Sequence, residues 1–250
     1  MVIIYICIFF LGASIASYIN ATLYRIEKGI KLKALLTQSS YCEECKKKLT
    51  WYELVPILGY IYIGGKCSKC NTKVNIIYPL SELFLGISFL LMYMYSVPFY
   101  IWILLLFLFI LSYYDILYRE VPRILVHILI GISLLIFIFF NLNLTSVLLT
   151  VGILLVISLL TLIIKKSFGF GDILILLSLG LAIDYKQFAV LFWLSIFTAL
   201  LYAICFGILQ KKRLKGIKIP MIPFFTISFL ISSIWGTEIF NTLLSMCISN

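Results

Sequence analysis

Two aspartates and four cysteines are the residues whose types and spacing could do chemistry in this chain. Asp172 closes the run Gly169-Phe170-Gly171-Asp172 at the mouth of an apolar segment, and Asp115 lies in the last turn of another. The sequence is 63% hydrophobic and 12% charged, so an acid at such a boundary is a functional hypothesis to be tested against its partners. Two carboxyls a few ångströms apart in a low-dielectric cleft cannot both ionise cheaply, and one keeps a proton. The charged member can then take a proton from water while the protonated member polarises a carbonyl, which is the chemistry of acid-pair peptide hydrolysis. Gly169 and Gly171 suit that role, because residues without a β-carbon let a peptide backbone approach. A plainer reading stands beside it: Asp172 complements a helix dipole and Asp115 pairs with Arg119 four residues on. Spacing alone leaves both open.

Cys42-Glu43-Glu44-Cys45 and Cys67-Ser68-Lys69-Cys70 are two C-x-x-C pairs with 21 residues between them. Two such pairs in one hydrophilic loop predict a tetrahedral Zn²⁺ site, and four thiolates with no open position make it structural. Flanking lysines, among them Lys46, Lys47 and Lys69, favour thiolates. Redox chemistry and disulfides are the competing uses; a reducing cytoplasm disfavours the latter. Cys7, Cys205 and Cys247 fall in or near apolar segments and read as packing residues. The single histidine, His127, has no partner nearby in sequence, which argues against Ser-His or Cys-His nucleophiles. No phosphate-cradling loop is present.

The elements that must position these groups are membrane helices. The chain has 250 residues and a mean hydropathy of +1.15. Its apolar stretches are continuous Leu/Ile/Phe runs of about the 20 residues that a bilayer requires, without the alternation of a β-barrel. The expected fold is all-α, a polytopic bundle of about eight transmembrane helices with a small zinc-binding loop. Its parts are residues 1–23 as a first span carrying Ser14, Ser17, Asn20 and Thr22, 24–77 as the cysteine loop, and 78–250 as the rest of the bundle. Pro220 and Pro223 open the last span, and 236–250 read as an interfacial tail. The first span lacks a basic n-region and a cleavage site and is expected to be retained.

Nineteen of the twenty basic residues fall in the loops after spans 1, 3, 5 and 7, with Lys186 the exception. Positive-inside bias therefore puts those loops in the cytoplasm and both termini outside. The formal charge of +10 is then a matter of topology and anionic headgroups of the lipid bilayer, and no nucleic acid partner is expected. Asp115 leaves span 3 on the cytoplasmic face, and Asp172 enters span 6 from that face after two further crossings. The expected pair shares one depth.

With these residues in place, the chain resembles the prepilin peptidases, membrane aspartyl proteases of the GxGD type. The resemblance runs through Ser17-Tyr18-Ile19-Asn20 to Tyr24-Arg25, the paired cysteines with Pro56-Ile57-Leu58 and Gly65-Lys66-Cys67, and Tyr78-Pro79-Leu80-Ser81-Glu82. It continues through Asp115 ahead of Pro122, Gly169-Phe170-Gly171-Asp172, and in part Pro220 to Pro223. Leu174 stands where the family often has lysine, Glu27 replaces a common proline, and the glycine of the late block is absent. The resemblance implies a multi-pass enzyme of the cell (inner) membrane that uses Asp115 and Asp172. It would remove the short basic leader of prepilin or pseudopilin substrates at the cytoplasmic face. Such substrates serve type IV pili, protein secretion or competence. It further implies N-methylation of the new amino terminus with S-adenosylmethionine, and it marks Gly65 and Glu82 as family positions without giving either a mechanism. The alternative from another class is a non-catalytic, zinc-bearing assembly factor of a pilus or secretion system.

Overall fold

The structure, a computed structural model of the chain, describes residues 1–30, 39–140, 144–163, 169–210 and 219–248. The uncharged turn Asn141-Leu142-Asn143, the pair Lys165-Lys166, Lys31, Lys33 and the basic run from Lys211 to Lys218 lie outside the described residues. Every named element is a helix: α1 (Val2–Glu27), α2 (Leu58–Tyr62), α3 (Ile77–Met94), α4 (Phe99–Tyr118), α5 (Arg123–Phe139), α6 (Leu144–Ile163), α7 (Phe170–Ala182), α8 (Tyr185–Gln210) and α9 (Ile222–Ile248). Among the described residues, α1, α3, α4, α8 and α9 are long and apolar enough to cross a membrane, α5 and α7 are shorter apolar helices, and α6 is apolar over Leu144–Leu155. These eight helices are the eight expected, two of them short. At about 1.5 Å per residue, the 13 residues of α7 rise only about 20 Å, less than the ~30 Å of a hydrocarbon core.

Polarity is distributed as a lipid solvent demands. Trp193, Phe99, Ile124, Phe139 and Leu148 are largely exposed, whereas Ser88, Ser112, Ser133, Ser178, Ser195, Thr150 and Thr226 are buried. Without a hydrophobic drive between helices in lipid, close packing of small residues and hydroxyl hydrogen bonds hold such bundles together. The buried hydroxyls here bond largely to carbonyls one turn back, as Ser88 does to Phe84 O at 2.7 Å and Ser112 to Leu108 O at 2.8 Å.

The chain divides into two compact units, Met1–Ser96 and Val97–Asn250. In the first, α1 packs along α3. The crossing is tight because two glycines sit in it. A β-carbon on Gly12 would stand 2.6 Å from Leu85 O, and one on Gly86 would stand 2.9 Å from the Phe9 ring. Gly12, Ala13, Ala16 and Asn20 form the buried face of α1, so the polar ribbon of the first span is partly a helix-packing stripe. Asn20 also crosses the interface, its Nδ2 donating to Ser81 Oγ at 2.7 Å.

In the second unit, α9 packs against α8 and α4, α5 against α4 and α7, and α7 also against α6. Thus α5 bridges the two helices that carry the aspartates. Arg119, in the left-handed region at φ 56°, ends α4, and Pro122 precedes α5 as the break expected there. The stretch after residue 236, expected as an apolar interfacial tail, continues α9 as helix to Ile248. It holds no proline and its one glycine is at its start, so nothing in the local sequence stops a helix there.

Candidate active site and thiolate centre

The two aspartates come from opposite ends of their helices, and each is fixed by backbone N–H groups. Asp115, in the last turn of α4, is 8% exposed. Its Oδ2 accepts from the N–H of Ile222 at 3.0 Å, across a separation of 107 residues, with the Met221 N–H beside it. Ile222 is the first residue of α9, whose N-terminal amides have no partner within the helix and favour a negative oxygen. Below this contact, the Ser112 and Thr226 hydroxyls meet between α4 and α9, Ser112 donating either to Thr226 Oγ1 or to Leu108 O, and Thr226 donating to Ile222 O at 2.9 Å. The start of α9 is thereby clamped against the Asp115 turn. Arg119 contributes its charge at a distance. Among the described residues, however, Asp115 forms no ion pair, so the i, i+4 pairing is not what holds it.

Asp172 is the third residue of α7 and reaches back, its Oδ2 accepting from the Gly169 N–H at 3.1 Å. The N-terminal capping reading is therefore geometrically correct, yet it occupies one oxygen only. Among the described residues Oδ1 has no hydrogen bond, and the side chain is half-buried. The carboxyl group of Asp172 lies within electrostatic range of Asp115. Among the described residues, no atom lies within 4 Å of where a β-carbon on Gly171 would stand, whereas one on Gly169 would meet Asp172 Oδ2 at 3.2 Å. His127 is exposed on α5, its Nδ1 bonded to Arg123 O at 2.6 Å, which fits an interfacial residue.

The four cysteines form a closed set. The sulfurs of Cys42, Cys45, Cys67 and Cys70 all lie within 4.8 Å of one another, with Cys42–Cys70 and Cys45–Cys67 each at 3.8 Å. A tetrahedron with Zn–S near 2.3 Å has edges of about 3.8 Å, and a disulfide would need about 2.05 Å. These residues fit a tetrahedral metal and are free thiols. The two pairs are built alike. Cys42 N bonds Lys47 O and Cys67 N bonds Thr72 O, each at 2.9 Å, and the residue after each pair, Lys46 or Asn71, takes a left-handed φ. The thiols are not equivalent. Hydrogen bonds from the Thr72 hydroxyl and backbone hold Cys70 down at about 6, while burial pushes Cys42 up to about 11.

Sequence reasoning missed the residue that joins the two pairs. Glu53 is buried. It accepts from Lys47 Nζ at 2.9 and 3.2 Å, from Thr50 N at 2.8 Å, from Thr50 Oγ1 at 2.9 Å and from Ser68 Oγ. Burial by itself would raise this carboxyl, but the bonds from Ser68, Thr50 and Lys47 outweigh it and hold the group at about 2. Lys47 follows the first pair and Ser68 lies inside the second, so one carboxylate ties both. The only signal was an acid between C-x-x-C pairs, which composition does not distinguish from a surface residue. Gly65 has a structural reason: its φ is +69°, and a β-carbon would stand 2.8 Å from the Tyr60 hydroxyl. Glu82, in the first unit, is 8% exposed and accepts from the Ile57 N–H at 2.7 Å.

The Bacterial Peptidase A24 N-terminal domain matches residues 10–96, the region of α1, the cysteines and α3. The Type IV leader peptidase family matches residues 102–204, which contain both aspartates. The chain belongs to the type IV leader peptidase family. Similar curated proteins carry the name prepilin leader peptidase/N-methyltransferase. The one from Vibrio cholerae serotype O1 is 34% identical over 74 residues, 28% of this chain and 29% of that protein. That from Neisseria gonorrhoeae is 30% identical over 100 residues, covering 32% and 35%, and that from Bacillus subtilis is 36% identical over 50 residues, covering 20% of each. The matched stretches thus span about a third or less of the length of these relatives. No solved structure matches the chain.

Proposed function

We propose that this chain is an aspartic endopeptidase that removes the short basic leader from prepilin-like or pseudopilin substrates, with Asp115 and Asp172 as its catalytic pair. The observation that carries the reading is their arrangement: two carboxyls on different helices, within electrostatic range, each oriented by backbone N–H groups, with Asp172 Oδ1 unengaged. One carboxylate takes a proton from water as its oxygen attacks the scissile carbonyl, and the other, protonated, donates to the developing oxyanion. Collapse of the tetrahedral intermediate breaks the C–N bond, with a proton passing to the leaving amine. Open space at Gly171 supports a role for the glycines in admitting the substrate backbone.

The alternate-loop distribution of basic residues supports a cytoplasmic position for this pair and for the cysteine loop. A basic leader would sit on that same side, with the substrate's apolar helix in the bilayer. In the thiolate centre we assign Zn²⁺ to Cys42, Cys45, Cys67 and Cys70, as a closed structural site organising a loop too small for its own core. The names of the relatives support a second activity, N-methylation of the new amino terminus, for which bound S-adenosylmethionine supplies an electrophilic methyl group.

The test is co-expression with a prepilin-like substrate. Asp115→Asn and Asp172→Asn are each expected to abolish the size shift of the substrate while the protein accumulates normally, since an Asn oxygen at 172 can still accept from Gly169 N–H. Continued cleavage by either variant refutes the pair, whereas a wild-type chain that binds the substrate and never cleaves it favours the non-catalytic assembly factor.

A further inference from the structure

The first unit holds a cavity that the protease does not use. It occupies about 190 Å³ between α1, the cysteine loop and the start of α3. Three features make it a built site. Asn20 is 4% exposed and lines the cavity, and while its Nδ2 is engaged by Ser81, its Oδ1 is buried with no hydrogen-bond partner among the described residues. An unsatisfied buried acceptor is costly, and native structures retain few without a reason. Glu82, also buried and lining the cavity, is steadied by the Ile57 N–H and has the Ser17 side chain beside it. Among the described residues no cation pairs with it.

The third feature is backbone strain. Ile57, a β-branched residue, is held at φ 63°, a left-handed conformation that such a residue rarely adopts. It is in this conformation that its N–H meets Glu82. Tyr24, Tyr60 and Tyr78 add aromatic walls around the carboxylate and the amide oxygen. Arg25, buried on α1, lines the cavity as well, so the lining carries both signs of charge.

A buried carboxylate outside any ion pair, an orphaned acceptor and aromatic faces are together complementary to one kind of guest. The carboxylate supplies opposite charge, the amide oxygen accepts an N–H, and ring faces attract a cation. We infer that this cavity binds an organic onium cation, with Glu82 as its counter-charge and Asn20 Oδ1 as acceptor for its N–H donors. Two sources offer that chemistry under the proposed function: the sulfonium and amino groups of S-adenosylmethionine, and the free amino terminus of a cleaved substrate. Naming these sources rests on the methylation part of that proposal. The cation itself follows from the cavity. Glu82 thereby acquires a role that its place in the Tyr-Pro-x-x-Glu run did not reveal.

The experiment uses the full chain in nanodiscs with four probes: S-adenosylmethionine, its thioether product S-adenosylhomocysteine, which keeps the amino group, loses the sulfonium charge and has no net charge, a short apolar peptide with a free amino terminus, and the N-acetylated peptide. Calorimetry is expected to show binding of at least one cationic probe, weakened tenfold or more by Glu82→Gln and partly restored by Glu82→Asp. The matching neutral probe should change less than threefold. Preference for S-adenosylmethionine over its thioether assigns the donor, and preference for the free over the acetylated peptide assigns the acceptor amine. Should Glu82→Gln fail to fold, hydrogen exchange in the wild-type chain decides: the cationic probe is expected to slow exchange at the Ile57 amide. Absence of binding by both cations, equal binding in Glu82→Gln, or no protection at Ile57 overturns the inference. Leader cleavage in the same preparation reads the protease separately, since cleavage without cation binding removes only the cavity's ligand, and binding without cleavage removes only the protease.

Discussion

Replacing Glu53 by Gln isolates the element that ties the two cysteine pairs together. The carboxylate takes Lys47 and Ser68 on one side and the Thr50 N–H and hydroxyl on the other. A Gln amide presents one oxygen and one NH₂. Whichever way it turns, one pair of donors faces an NH₂ and loses its acceptor. Two charge-assisted bonds at about 1.5–3 kcal/mol each bound the loss, but Lys47 and Ser68 are near enough to water to recover part of it, leaving about 2 kcal/mol. Because metal binding is linked to folding of the loop, that figure corresponds to roughly 30-fold weaker metal retention. Chelator competition on the purified, zinc-loaded protein measures this, with hydrogen exchange over residues 40–75 as the metal-independent readout. The acid behaviour follows with a definite sign. Glu53 sits at about 2, below its ordinary 4.5, so its contribution is complete above about pH 4.5 and disappears as the pH falls toward 2. The Cys70 thiol, at about 6, protonates earlier. Between about pH 5 and 3 the wild-type loop is therefore expected to release metal and lose exchange protection together, and the Glu53→Gln loop to do both at a higher pH. Retention within twofold and unchanged protection in Glu53→Gln would refute the reasoning.

The helix crossings give further predictions. Gly12→Val places side-chain atoms against the Leu85 carbonyl, which as backbone cannot move aside. It should lower the thermal midpoint in detergent by an amount equivalent to about 1–3 kcal/mol, whereas Gly131→Ala, with nothing within 4 Å of its β-carbon, should leave it unchanged. Equal midpoints for the two variants would contradict the close approach of α1 and α3. Thr226→Val removes the hydroxyl that joins Ser112 to the start of α9. A membrane hydrogen bond of about 0.6–1.7 kcal/mol predicts a fall in cleavage rate of roughly three- to 18-fold through loosened positioning of Asp115, partly recovered by Thr226→Ser. A Thr226→Ser rate no better than that of Thr226→Val would count against the clamp.

The number and type of the helices were legible because lipid imposes one rule, continuous apolar length, that a single sequence states directly. The extent of α9 was not, since Glu238 and the preceding Gly236 look like an ending only if the helix is assumed to stop where the bilayer does. Ladder hydrogen bonds need no membrane, and nothing in Thr237 to Ile248 breaks them. The cysteine set was legible for a related reason. Ligand type and spacing are local, and each pair folds into its own turn before any long-range contact is needed. Glu53 was not, because its partners lie both six and fifteen residues away and its burial is a property of the folded loop.

The same distinction separates the two aspartates. Asp172 is held by an amide three residues back, and the sequence around it displays that geometry in full. Asp115 is held by the first amide of α9, more than a hundred residues downstream, where the proline-flanked Pro220 to Pro223 block carried no hint of a partner. Pro220 and Pro223 have no N–H to offer, so the donors left at this helix start are those of Met221 and Ile222, and these are the two that meet Asp115. The prolines therefore do more than open a helix. By removing flanking donors they leave a two-amide cradle, and an acid from another helix fills it. A pair of carboxyls assembled in this way depends on the final helix as much as on the helices that carry the acids. That dependence is why a hydroxyl on α9, remote in sequence from either aspartate, is expected to tune the rate.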